Sequence, residues 1–196
     1  MSSSRGRHEL AEIISALFNA PIVAIYVFTL ILLILSPPDI YSLLFVSLIF
    51  GGILPMLIIF LMLRAGIIHD IYASDRQTRL KPFLGAILSY SLGVAVLLLM
   101  NAPRDITALM ACYSFNTLVM MLISLKWKIS IHASGISGPF TFLVFVLGPV
   151  FLPLYLLILP VGWARIELNA HSLSQVLAGF LLTILLTWLQ LTFFLA

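Results

Sequence analysis

Long apolar runs separated by short polar stretches dominate the pattern of hydrophobic positions along this chain of 196 residues. A helix that crosses the hydrocarbon core of a bilayer needs about 20 predominantly apolar residues, and several runs approach that length. Each run is bounded by prolines, charged residues or turn-forming residues, which are common at helix ends. The pattern predicts transmembrane helices over residues 21–36, 42–63, 84–100, 106–125 and 172–196.

The segment 130–164 is too long for one span and short for two. Gly148 and Pro149 lie near its middle, and this pair favours a break between two short helices. With both helices counted, we expect an all-α polytopic transmembrane bundle of six to seven spans that forms a single domain over residues 1–196.

The first 19 residues follow a different pattern. Leu10, Ile13, Ile14 and Leu17 recur at helical spacing among polar and charged residues. No cleavage site of small residues follows them. We therefore expect residues 1–19 to form a short amphipathic helix on the membrane surface and not a signal peptide.

The composition agrees with a membrane protein. Hydrophobic residues make up 62% of the chain and charged residues 9%, whereas roughly a quarter of the positions in a soluble domain are charged. These values exclude an ordinary soluble enzyme and predict a multi-pass integral membrane protein that contacts membrane lipids and no nucleic acid. The single cysteine, Cys112, lies inside an apolar run, and we interpret it as a packing residue.

Counting the predicted passes places three polar stretches, residues 69–82, 126–128 and 163–165, on one side of the membrane. We call this side the polar face. Arg104 is the one basic residue of ten assigned to the opposite side; the other nine are Arg5, Arg7, Arg64, Arg76, Arg79, Lys81, Lys126, Lys128 and Arg165. Because cytoplasmic loops carry the excess of Lys and Arg, we expect the polar face and the N-terminus to be cytosolic.

Three segments on the polar face, residues 75–82, 128–135 and 164–171, bring together cations and histidines. Arginine guanidinium groups match phosphate oxygens in bidentate geometry. A nearby histidine can attack phosphorus or protonate a leaving oxygen. The combination indicates phosphate chemistry at this face.

The segments resemble the ordered motifs of the type 2 phosphatidic acid phosphatases, a superfamily of lipid phosphatases and haloperoxidases. Arg165 and His171 reproduce the Arg-x5-His of the third motif. Ser130 and His132 reproduce the Ser-x-His of the second motif.

The first motif of that family, Lys-x6-Arg-Pro, is represented more loosely. Lys81-Pro82 stands in place of Arg-Pro, and Arg76 or Arg79 supplies the other cation at a shorter spacing. The whole resemblance covers residues 70–180, which we treat as the core that bears the motifs.

The resemblance implies hydrolysis of a lipid or isoprenoid phosphate or diphosphate without a metal ion or cofactor. His171 would attack phosphorus to form a phosphohistidine, and His132 would protonate the departing alkoxide. Water would then hydrolyse the intermediate. The phosphoryl oxygens would be held by the remaining motif residues, namely Arg76, Arg79, Lys81, Ser130 and Arg165.

Gln175 occupies the position at which the family has an aspartate, and we count it with the catalytic group. On a helix it would share a face with His171, and its side-chain oxygen could accept the Nδ1 proton and fix the imidazole tautomer. An amide does not stabilise an imidazolium as a carboxylate does. Asp75 or Glu167 could supply that negative charge from another direction.

Three alternatives stay open. A catalytically inactive family member would bind lipid phosphates as a scaffold, and the glutamine at position 175 favours this alternative. A membrane prenyltransferase would need paired aspartate clusters for a magnesium diphosphate, and Asp70 and Asp75 form at most half of such a site. A transporter would carry ionisable residues near the midplane, whereas the predicted spans hold mainly Asn116, serine and threonine. The identity of the lipid and the oligomeric state also stay open.

Overall fold

The computed structural model describes residues 2–69 and 78–195, which form helices joined by short turns and contain no β-strand in these ranges. The prediction of an all-helical protein is confirmed. In chain order the helices are α1 (Ser2–Leu17), α2 (Ala20–Leu35), α3 (Ile40–Leu48), α4 (Leu54–Arg64), α5 (Leu80–Leu99), α6 (Arg104–Ser124), α7 (Ile131–Leu147), α8 (Ile158–Glu167) and α9 (Leu173–Phe194).

Several of these helices are long and apolar enough to cross a membrane, which is consistent with the predicted integral membrane protein. The five candidates in the described ranges are Ile40–Arg64, Leu80–Leu99, Arg104–Ser124, Pro149–Glu167 and Leu173–Phe194. A sixth candidate arises if α1 and α2, which meet at a bend of 50°, are counted as one span. The apolar helix α7 is shorter than these candidates, with 17 residues.

Most helix ends lie close to their predicted positions, but α5 begins earlier than expected. Lys81 and Pro82 were predicted to lie in a polar stretch, and both belong to the first turn of α5. Proline is tolerated there because an N–H in the first turn has no partner within the helix. The predicted break after α7 is present at Gly148, whose φ of 100° lies in a region that favours glycine.

A π-helical turn, Ile49–Ile53, joins α3 to α4 and makes them one continuous helix. Pro55 follows this turn and has no N–H with which to bond the carbonyl of Gly51, so the regular α-helical bonding is interrupted. The carbonyl of Phe50 accepts a hydrogen bond of 2.7 Å from the Ser89 hydroxyl. This bond fixes α5 against the turn.

Helix α7 lies inside the bundle, and every side chain from residue 132 to residue 143 is buried. The hydroxyls of Ser134 and Thr183 are 2.7 Å apart and link α7 to α9. Near the start of both helices, a Cβ added to Gly179 would lie only 2.5 Å from the carbonyl oxygen of Ser130. The absence of a side chain at Gly179 therefore lets the N-terminal ends of α7 and α9 meet at one end of the bundle.

Candidate active site

A cavity of about 100 Å³ lies at that end of the bundle, between the first residues of α2, α5 and α7 and the last turn of α8. Its wall includes four residues that the sequence predicted to handle phosphate: Arg79, His132, Arg165 and His171. These side chains come from three separate motif segments and are only 3% to 7% exposed. The cavity is thus a buried, cationic compartment and not an open surface patch.

The other predicted phosphate ligands are placed differently. Ser130 does not line the cavity; its hydroxyl accepts a hydrogen bond of 3.4 Å from the N–H of Ala133 and caps α7. Lys81 is exposed in the first turn of α5. Of the two cations considered for the first motif, Arg79 lines the cavity, and Arg76 lies outside the described residues, as do Asp70 and Asp75.

His171 precedes α9 and does not lie on the same helix as Gln175, which corrects the expected arrangement. The two side chains meet nevertheless, with 3.1 Å between Nδ1 of His171 and Oε1 of Gln175. A capping box holds Gln175 in place: its Oε1 accepts the N–H of Ser172 at 3.2 Å, and the Ser172 hydroxyl accepts the N–H of Gln175 at 3.4 Å. The start of α9 therefore aims the amide oxygen at the imidazole.

This contact determines which ring nitrogen of His171 can react. Oε1 of Gln175 already accepts the N–H of Ser172, so it is an acceptor toward His171 as well. Nδ1 of His171 must then carry the proton in the neutral ring, and Nε2 keeps its lone pair. A neutral imidazole with a free Nε2 is the form that a nucleophile requires.

Burial is the main cause that lowers the pKa of His171 to about 4, and the positive charges of Arg165, Arg79 and Lys128 lower it further. The hydrogen bond with Gln175 acts in the opposite direction and raises this pKa. His171 is consequently neutral throughout the physiological pH range. Lys128, a basic residue of the predicted polar face and a possible phosphate ligand, contributes to this electrostatic field.

Glu167, one of the two acidic residues considered as a source of negative charge, forms an ion pair with Arg7. The distance between Nη2 of Arg7 and Oε2 of Glu167 is 2.6 Å. None of the described residues that line the cavity is acidic. Within residues 2–69 and 78–195, no group of three His, Cys, Asp or Glu side chains could hold a metal ion.

Sequence reasoning missed two features of the site. Ser15 of α1 is fully buried, and its hydroxyl accepts a hydrogen bond of 3.2 Å from Nη1 of Arg165. A second cavity of about 40 Å³ adjoins the first and shares Phe83, Tyr90 and Thr117 with it. Neither feature has a local sequence signal.

The arrangement amounts to two guanidinium groups and two imidazoles around one small compartment. Such a set suits a compact anion with several oxygens, because each guanidinium can donate two parallel hydrogen bonds. Comparison of the chain with protein-family models, curated proteins and solved structures found no match.

Proposed function

We propose that the protein is a membrane phosphatase that hydrolyses a lipid or isoprenoid phosphate or diphosphate through a phosphohistidine, with no metal ion or cofactor. The observation that carries this proposal is the convergence of Arg79, Arg165, His132 and His171 on one buried cavity, none of whose described wall residues is acidic. Two guanidinium groups and two imidazoles at one buried cavity are the groups that bind and transfer a phosphoryl group.

The proposed reaction begins with Nε2 of His171, which attacks phosphorus while the bond between phosphorus and the leaving oxygen breaks. In this proposal His132 enters the reaction as the imidazolium, gives a proton to that oxygen and becomes neutral as the alcohol departs. Neutral His132 then takes a proton from water, whose oxygen attacks phosphorus and breaks the bond to His171. Arg79 and Arg165 stabilise the charge on the phosphoryl oxygens, which supplies most of the catalysis in this kind of transfer.

The second cavity supports the proposal of a substrate with an apolar tail. It is lined by residues of α5, α6, α7 and α9, among them Phe83, Tyr90, Leu109 and Met120. It shares wall residues with the cationic cavity, so a mainly apolar cavity adjoins the charged one. A headgroup at the arginines would leave the first carbons of its tail among these side chains.

The experiment that tests this function is phosphate release from a panel of lipid phosphates by the purified protein in detergent. The panel should contain a diacylglycerol phosphate, an isoprenyl phosphate and an isoprenyl diphosphate. We expect release of inorganic phosphate from at least one of them at a rate that a metal chelator does not change. Tight binding of all three without any release would favour the inactive scaffold.

Substitutions of Gln175 test how His171 is oriented. We expect Gln175→Asp to retain or raise the rate, because a carboxylate stabilises the imidazolium formed during attack. The same carboxylate raises the pKa of His171 above its value of about 4. Since the nucleophile must be neutral, the acid limb of kcat/KM should move to higher pH.

Gln175→Leu removes the acceptor for Nδ1 and should lower kcat/KM by about 10- to 100-fold, since the tautomer is no longer fixed. Gln175→Leu also removes the hydrogen bond from the N–H of Ser172 to residue 175. The midpoint of thermal unfolding measures this loss of stability separately from the rate. Equal rates and pH profiles for the wild type and both variants would show that residue 175 does not act on His171.

We further propose seven spans, with α2 and α7 as the short ones, and a cytosolic active site. Asn19, between α1 and α2, lines the cavity, which supports an N-terminus on the same side as the site. The positive charge of the polar face supports the cytosolic side. In a Cys112→Ser background, an impermeant thiol reagent applied to intact cells should label Asn101→Cys and leave Ser3→Cys unlabelled. The opposite labelling pattern would reverse the orientation.

A further inference from the structure

Helix α1 packs against the outer end of α8, next to the cavity. The ion pair of Arg7 with Glu167 links the two helices. One side of α1 is turned into the protein, so that Ala11 and Ser15 are fully buried, whereas Leu10 and Ile13 on its other side are more than half exposed. The apolar pattern of α1 therefore does not explain why a serine occupies one of its fully buried positions.

Ser15 contacts two residues of the candidate site that belong to different helices. Its hydroxyl accepts the hydrogen bond of 3.2 Å from Nη1 of Arg165 on α8. Its backbone is hydrogen-bonded to the imidazole of His132 on α7. Ser15 is itself not among the residues that line the cavity.

We propose that Ser15 is a positioning residue that holds Arg165 and His132 in the orientation needed for phosphate binding and proton transfer. This inference rests on the proposed phosphatase function. The hydroxyl holds one edge of the Arg165 guanidinium and so fixes the orientation of this side chain in the cavity wall. The backbone bond limits the rotation of the His132 ring and determines which of its nitrogens carries the proton.

The proposal predicts a specific kinetic signature for Ser15→Ala. The hydroxyl is lost, the backbone bond to His132 is retained, and Arg165 becomes less well oriented. Arg165 holds the phosphoryl group both in the bound substrate and in the transition state, so KM should rise with little change in kcat. We expect KM for the lipid phosphate and Ki for inorganic phosphate to rise by about 10-fold, the usual scale for a hydrogen bond to a charged group.

Ser47→Ala provides the matched control. Ser47 is also fully buried, but it belongs to α3 and does not line the cavity. Its hydroxyl has no hydrogen-bond partner among the described residues, so its removal should leave both constants at the wild-type values. A purely structural role of Ser15 would lower the midpoint of thermal unfolding and leave KM and Ki unchanged.

Reversing the charges of the ion pair between α1 and α8 tests whether the docking of α1 positions the site residues. Arg7→Glu and Glu167→Arg each place like charges at the helix contact and should raise KM several-fold. The double variant restores an ion pair and should return KM toward the wild-type value. Additive losses in the double variant would contradict a role for α1 docking in the site.

Phosphate release and phosphate binding by the wild-type protein distinguish failure of the Ser15 proposal from failure of the phosphatase proposal. If it releases phosphate and Ser15→Ala has the same KM and Ki as Ser47→Ala, the positioning role is overturned and the phosphatase function stands. If the wild type neither hydrolyses lipid phosphates nor binds inorganic phosphate, the proposed function itself fails.

Discussion

Replacement of His171 by alanine is expected to abolish phosphate release from every lipid phosphate that the wild type hydrolyses. The change removes the nitrogen that attacks phosphorus, so no covalent route remains, and the loss should be on the order of 10⁴ to 10⁶-fold. Phosphate release by purified protein in detergent measures this effect. Binding of inorganic phosphate should persist, because both cavity arginines are retained.

His69→Ala is the matched control for this substitution. His69 is exposed and does not line the cavity, so its removal should leave turnover unchanged. A folded His171→Ala protein that turns over at the rate of His69→Ala would exclude His171 as the nucleophile.

Replacement of His132 by alanine should produce the second largest effect, a loss of about 10² to 10⁴-fold on natural alkyl phosphates. An alkoxide is a poor leaving group and needs a proton as it departs, and His132 is the second imidazole in the cavity wall. A nitrophenyl phosphate has a leaving group that departs without protonation. The His132→Ala variant should therefore lose far less activity on the nitrophenyl ester than on the alkyl ester.

The ratio of the rate on the alkyl ester to the rate on the nitrophenyl ester tests the role of His132. If His132→Ala loses the same factor on both substrates, the residue holds the phosphate or the fold and does not act as the general acid. His171→Ala serves as the internal comparison, because loss of the nucleophile should suppress both substrates alike.

The helices were largely predictable from the sequence because membrane spans are long, continuous apolar runs that end at prolines and charges. The start of α5 was missed since Lys81 and Pro82 look like loop residues, although the first helical turn accepts both. The sequence predicted spans at α2 and α7, and these helices have only 16 and 17 residues, fewer than the about 20 of a typical span.

The order of the motifs along the chain was enough to predict which candidate residues lie near one another. The sequence alone placed Arg165, His171 and His132 on one side of the membrane, and the structure puts them around one cavity with Arg79. Arg79 lines the cavity, which the motif alone did not determine, because either Arg76 or Arg79 fits it.

Two roles could not be read from local sequence. A serine before an apolar helix is equally suited to bind phosphate or to cap the helix, and the Ser130 hydroxyl caps α7. The bond between Ser15 and Arg165 joins residues 150 positions apart, a distance over which a single sequence carries no pairing signal.

The most direct test of the phosphohistidine mechanism is a rapid-quench reaction with a substrate that carries a radiolabelled phosphoryl group. We predict that the wild-type protein becomes labelled on the segment that follows Arg165, through a bond that is stable in alkali and labile in acid, as expected for a phosphohistidine. The label should be absent from His171→Ala. Rapid turnover by the wild type with no labelled protein at any quench time, or label on a residue other than His171, would contradict the mechanism.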